Sequence, residues 1–325
     1  MTNVKSTLRL IAATGAVLLV GACGAAGGEN AGESRSTSRA EAHDTQQPLP
    51  TSPQDWSGVA EALGREGKVM GGAVYRVSFP RRDLKVTSHG VQVKPGLALS
   101  SYAAFARYGD GTTTAMGDLV VTEDELPKVT DALQKAGIDQ TAVHKHLLAQ
   151  DPQVWWTHFH AEGKNARKIA TALKTVLDTT NTPPPAKPST PGPIDLDTAA
   201  IDKSLGAKGT NDGGIYKFTF ARTNTVTMDD KVLTPALGVN TSINFQPTGG
   251  GKAAINGDFT MTADEIQNVI KALRAGGIDI VELHSHTLTE NPRLFYMHFW
   301  ANDDAVKLAR ALRHAVDQNH VTPAS

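Results

Sequence analysis

The sequence predicts an α+β fold made twice. Each copy is an antiparallel sheet of about five strands with two helices on one face, in the order β-β-β-α-β-β-α. Three observations predict it. VYRVSF (Val74–Phe79) matches IYKFTF (Ile215–Phe220), MGDLVVTEDEL (Met116–Leu126) matches NGDFTMTADEI (Asn256–Ile266), and LQKAGID (Leu133–Asp139) matches LRAGGID (Leu273–Asp279). From Met116 to Ala161 the two copies hold a constant offset of 140 residues without a gap, as a duplication leaves. Within each copy short strands alternate apolar and polar residues, helices are few, and no βαβ alternation occurs.

The elements follow in order. VYRVSF reads as a half-buried strand, and Pro95–Tyr108 (Pro235–Phe245 in the second copy) as the next. TAMGDLVV is a third, ending where Thr122 and Glu125 have capping-box spacing, repeated by Thr262 and Glu265. That helix runs to Gly137, its twin to Gly276-Gly277. Two strands carrying histidines come next, and an amphipathic helix, ARKIATALKTVL or AVKLARALRHAV, closes each copy. NTPPPAKPSTPGPID (181–195) carries six prolines and reads as a semi-rigid spacer between domains at 54–180 and 196–320.

The N-terminus reads as a targeting segment. Lys5 and Arg9 precede an apolar run from Leu10 to Val20, too short to span a bilayer, and Val20-Gly21-Ala22-Cys23 follows. That tetrapeptide resembles the lipobox of bacterial lipoproteins. The resemblance implies that residues 1–22 are removed and that Cys23 carries the lipid. Residues 23–53 then form a flexible tether, and the protein is extracytoplasmic, held on the outer face of the cell membrane by two or three acyl chains. Cys23 is the only cysteine, which excludes an internal disulfide and a thiolate metal site. A net charge of −1 leaves no field for steering nucleic acid, so nucleic acid is not an expected partner.

The chemistry concentrates in two stretches. Each places His-x-His, a Pro six residues later and a further His six beyond that: His144, His146, Pro152 and His158, then His284, His286, Pro292 and His298. Residues two apart on a strand share a face. A hairpin centred on Asp151-Pro152 would set His144 opposite His158 and His146 opposite Trp156, and the second copy would repeat this with Tyr296. Three imidazoles per copy suit Zn²⁺ or another borderline divalent ion. Asp118, Glu125, Asp258 and Glu265 are the carboxylates expected to orient them, and Trp156 and Tyr296 the aromatic lining. A metal-free polar ligand or proton-transfer site, and a structural sheet motif inherited twice, remain alternative readings. The aromatics Trp155, Trp156, Tyr296 and Trp300 could stack on sugar rings of a cell-wall ligand, but core packing is the favoured reading. His43, His160, His314 and His320 have no counterpart and receive no role. No Gly-x-Ser-x-Gly, Walker, Gly-x-Gly-x-x-Gly or His-Glu-x-x-His motif is present.

GDLVVTEDEL/GDFTMTADEI, the helix ending in glycine, AGIDQTAVHKHL/GGIDIVELHSHT and the later THF/MHF resemble the LppY/LpqO family of actinobacterial-type lipoproteins, whose function is unknown. The resemblance spans both copies, roughly 54–320. The family pattern has His-Asn-His where this chain has His-Lys-His and His-Ser-His. It implies an envelope location and tandem architecture and supplies no substrate. The sequence therefore supports a lipid-anchored binder with a His-rich pocket in each domain. A metal-dependent envelope enzyme, with Asp118 or Glu125 as base to a metal-bound water, and a scaffold without chemistry are the other readings.

Overall fold

The computed structural model describes residues 45–187 and 192–324. Cys23 and the expected signal segment lie outside the described residues. The first repeat contains α1 (Ser57–Leu63), β1 (Lys68–Met70), β2 (Val74–Pro80), β3 (Ser100–Arg107), β4 (Thr113–Thr122), α2 (Leu126–Ala136), β5 (Asp139–His144), β6 (Val154–Gly163) and α3 (Ala166–Leu177). The second contains α4 (Thr198–Leu205), β7 (Thr210–Asp212), β8 (Ile215–Arg222), β9 (Asn240–Gly249), β10 (Lys252–Met261), α5 (Ile266–Ala275), β11 (Asp279–His284), β12 (Phe295–Asp304), α6 (Ala305–Val316) and β13 (Val321–Pro323). The sheets run β1-β2-β3-β4-β6-β5 and β7-β8-β9-β10-β12-β11, with β13 added beside β8, and all pairings are antiparallel.

The duplicated α+β architecture is as expected, with three differences. Each repeat opens with a helix. α1 buries only Val59, Ala60 and Leu63, too few positions for a periodic signal. Each sheet has six strands or more, because the three-residue strands β1 and β7 are too short to show alternation. The helices after β4 and β10 start at Leu126 and Ile266, one residue after the glutamate expected inside them. Half of the capping box survives, since Thr122 N–H donates to Glu125 Oε2 at 2.9 Å and Thr262 N–H to Glu265 Oε2 at 2.6 Å. The other carboxylate contacts explain the delay. Arg81 and the Asn181 N–H hold Glu125, and Arg222 holds Glu265, so each glutamate sits in the preceding turn.

Each amphipathic helix buries one stripe on its own sheet. Val129 and Leu133 of α2, with Ile169, Leu173 and Val176 of α3, pack against Val77, Phe105 and Phe159. Asn165 and Asp304 cap α3 and α6 through their side chains. The opposite faces of the two sheets pack on one another. Val74, Ala104 and Met116 meet Leu237, Val239 and Tyr296 in one cluster, while Val120 and Trp156 meet Ala254 and Trp300 in another. The result is four layers, helix-sheet-sheet-helix, with both repeats in one compact unit. The repeats are therefore not pockets on separate beads. Two arms, 81–99 and 223–239, cross the interface; Gln92 and Lys94 bond Gln246, and Tyr108 donates to Val232 O. The spacer begins clasped to the first repeat, with Arg65 donating to Pro183 O at 2.7 Å. Among the described residues, no helix is long and apolar enough to cross a membrane.

The buried glutamates set a pH dependence. Burial raises both, but bonds from Arg81 and the Asn181 and Thr122 N–H groups outweigh it at Glu125. The His320 and Thr262 N–H groups and Arg222 do the same at Glu265, leaving both below the ordinary 4.5. A depressed folded value means this stabilisation is complete above 4.5 and is lost as pH falls through the folded values. Relative to wild type, Glu125→Gln should lower the urea midpoint at neutral pH, and that deficit should shrink as pH falls below 4.5.

Candidate metal centre

The histidines stand on the sheet faces that meet between the repeats. His144 ends β5, His146 lies two residues beyond it, and His158 is in the middle of β6. The expected register is displaced by two residues. A bulge between Gln140 and Ala142 sets Ala142 opposite His158 and His144 opposite Trp156, and Glu282/His298 and His284/Tyr296 repeat this. The cause lies in the connection: Gln150–Asp151 leaves the hairpin to pair with Thr87–Ser88 of the arm. A slip of two preserves the face. His144 therefore still stacks on His158, at 4.7 Å between ring centroids, and His146 reaches past the strand end onto Trp156 at 4.4 Å.

The two histidine sets are one cluster. His144 stacks on its duplicate His284 at 4.0 Å, His146 meets His298 at 3.8 Å, and His158 meets His286 at 3.9 Å. The last two are the same contact seen from either repeat, which places a pseudo-two-fold axis through the His144/His284 pair. Thr141 Oγ1 donates to His286 O at 2.6 Å and Lys145 N–H to Glu282 at 2.8 Å, tying the edge strands β5 and β11 together over the site. His144, His158, His286 and His298 are buried, while His146 and His284 are partly exposed.

Backbone carbonyls fix three ring orientations. His158 Nδ1 lies 3.1 Å from Gly117 O, His298 Nδ1 2.7 Å from Gly257 O, and His286 Nδ1 3.2 Å from Gly238 O. A carbonyl oxygen only accepts, so each Nδ1 carries the proton and each neutral ring presents an Nε2 lone pair. The rings are neutral: burial, aided by neighbouring imidazoles, holds His144, His146, His158 and His284 well below the usual range, and burial takes His286 to about 3 and His298 to about 4. His158 Nε2 and His298 Nε2 find no hydrogen-bond partner among the described residues. His286 Nε2 faces Asp258 Oδ2 at 3.1 Å, and His146 Nε2 faces Asp118 Oδ2 at 3.2 Å and His144 Nε2 at 2.9 Å.

Asp118 and Asp258 are buried opposite His158 and His298 in the ladders. One oxygen of each, Oδ1, has no hydrogen-bond partner among the described residues. Burial raises both carboxyls, Asp258 to about 7 with Asp118 adding to the rise. Gly117 and Gly257 precede them by necessity. A Cβ on Gly117 would stand 2.1 Å from Tyr102 O and 2.5 Å from the Phe159 ring, and one on Gly257 2.0 Å from Ser242 O. Gly117→Ala should therefore destabilise by at least about 3 kcal/mol, the upper range of overpacking, because backbone must move. Urea denaturation measures this.

Of the expected residues, the structure brings together all six histidines, Asp118, Asp258, Trp156 and Tyr296. Glu125 and Glu265 do not join them; their oxygens serve Arg81, Arg222 and the helix starts. Three residues at the site escaped the sequence reading. Tyr102 lies opposite Asp118 in the ladder, under the Arg76 guanidinium at 3.5 Å, and Asn256 Nδ2 donates to His146 O at 2.6 Å. They break the pseudo-symmetry, since Ser242, Lys217 and Met116 hold the matching positions. That mismatch between repeats is the signal that could have found them.

A family model described as Domain of Unknown Function (DUF1259) matches residues 57–179 and again 199–318. The chain belongs to this family. Its DUF1259 repeats coincide with the two layers of helix and sheet that enclose the histidines. No curated protein matches the chain. The crystal structures of PduB, a trimeric bacterial microcompartment shell protein, and of EtuB from Clostridium kluyveri overlap this DUF1259 chain at 12% and 10% identity. They cover 79% of it and 95% and 94% of their own lengths, with TM-scores of 0.21, an overlap too slight to bear on fold or function.

Proposed function

We propose that this DUF1259 protein binds a divalent first-row metal ion, of the Zn²⁺ type, in a centre built jointly by its two repeats. One observation carries the reading: Nε2 atoms of neutral imidazoles and buried carboxyl oxygens converge in one space, several of them without a hydrogen-bond partner among the described residues. His286 Nε2 and Asp258 Oδ2, at 3.1 Å, are the plainest case. Each unpartnered buried polar atom costs about 1–3 kcal/mol, so a scaffold would not gather them. A cation satisfies all of them at once. The carbonyl bonds at Nδ1 of His158, His286 and His298 are the outer contacts that orient metal-ligating histidines. Imidazole and carboxylate together suit a borderline ion.

The lipobox-like segment at Cys23 and the likeness to LppY/LpqO lipoproteins support an envelope location, with the duplicated α+β unit held outside the membrane by its lipid. Elemental analysis of the purified protein should find stoichiometric metal; none above background after reconstitution with Zn²⁺ refutes the reading. For the anchor, Cys23→Ser should move the protein from the detergent to the aqueous phase on phase partitioning, and retention in detergent contradicts lipidation.

A further inference from the structure

The joint centre has more donors than one ion can use. Six imidazoles and two carboxylates make eight, and a tetrahedral ion takes four. One ion would leave half of them buried and unpartnered. The donors also separate into halves. Ligand atoms of His144, His146 and His298 lie within 4.8 Å of one another, as do those of Asp258, His284 and His286, and these two groups share no residue. His158 is the pseudo-two-fold mate of His298 and completes the second group. Asp118, 3.2 Å from His146, completes the first as Asp258, 3.1 Å from His286, does the second.

The closest histidine ring pairs, His146–His298 at 3.8 Å and His158–His286 at 3.9 Å, each join the two repeats within one set, while His144 and His284, stacked at 4.0 Å, stand where the two sets meet. Building on the metal-binding reading, we propose that the chain holds two divalent ions. His144, His146 and Asp118 of the first repeat and His298 of the second bind one; His284, His286 and Asp258 of the second repeat and His158 of the first bind the other. Each repeat lends its third histidine to the other's ion. Neither half is then a complete site alone, which accounts for the face-to-face packing of the sheets over the histidines. The competing arrangement is one ion on the axis among His144, His158 and His284, whose ligand atoms also lie within 4.8 Å of one another.

The test is titration of the metal-free protein with Co²⁺, followed by visible absorption and by equilibrium dialysis. Wild type should saturate at two equivalents per chain. Saturation at one overturns the two-ion assignment and leaves the metal reading standing, whereas no bound Co²⁺ overturns the metal reading itself. Paired variants test the crossed ligand sets. His146→Gln/His298→Gln damages one ion and should retain one equivalent, whereas His146→Gln/His158→Gln damages both and should retain none. The reverse pattern overturns the crossing. The wild-type stoichiometry decides the ion count even where a variant fails to fold.

Discussion

His158→Ala combined with His298→Ala abolishes metal binding. These are the two imidazoles whose Nδ1–H groups are held by Gly117 O and Gly257 O and whose Nε2 atoms are otherwise unpartnered. Removing both takes a donor from either side of the pseudo-two-fold axis, and metal content should fall from stoichiometric to background. The readout separates ligands from core. Metal at a thousandfold excess over its Kd adds about 4 kcal/mol to a protein that binds it only when folded. Wild type should gain at least that amount on adding Zn²⁺, measured by urea denaturation, and the double variant should gain none. Equal stabilisation of both proteins would show that the histidines are not the ligands.

Arg81→Ala should cost about 3–5 kcal/mol, the penalty for stranding one member of a buried ion pair. Arg81 is fully buried and follows β2 directly. It donates to Val120 O at 2.8 Å, to both oxygens of Glu125 at 2.8 and 3.1 Å, and to Asp83. Without it, Glu125 keeps only backbone donors in a place almost free of water. Burial then raises that carboxyl and the turn joining β4 to α2 loosens, immediately after the strand that positions Asp118. Arg81→Met with Glu125→Leu should recover much of the loss, since apolar replacement of both partners removes the stranded charge. If Arg81→Ala alone is as stable as wild type, the pair is not the clamp described. Arg222 and Glu265 repeat the arrangement in the second half.

Much of this was legible in the residues. The repeat, the helices that became α2, α3, α5 and α6, and the six histidines with Asp118 and Asp258 all rest on short-range patterns. Period, capping and a two-residue strand alternation carry them without tertiary information. The merging of two histidine sets into one centre did not show. It depends on sheet packing that a single repeat cannot encode, and the apolar faces around Trp156 and Tyr296 read equally as ordinary core. Glu125 was misleading for a related reason. Its spacing from Thr122 signals a cap, and the spacing was right, but its partner Arg81 lies 44 residues away. The displaced hairpin register likewise follows from Gln150–Asp151 pairing with an arm remote in sequence.

Crystals of the Zn²⁺-loaded protein, with anomalous scattering collected at the zinc edge, test the central claim most directly. Density should lie between the two sheets with its nearest ligands from both repeats, His146 beside His298 and His286 beside His158. Density bound by the histidines of one repeat alone, or none between the sheets, would contradict it.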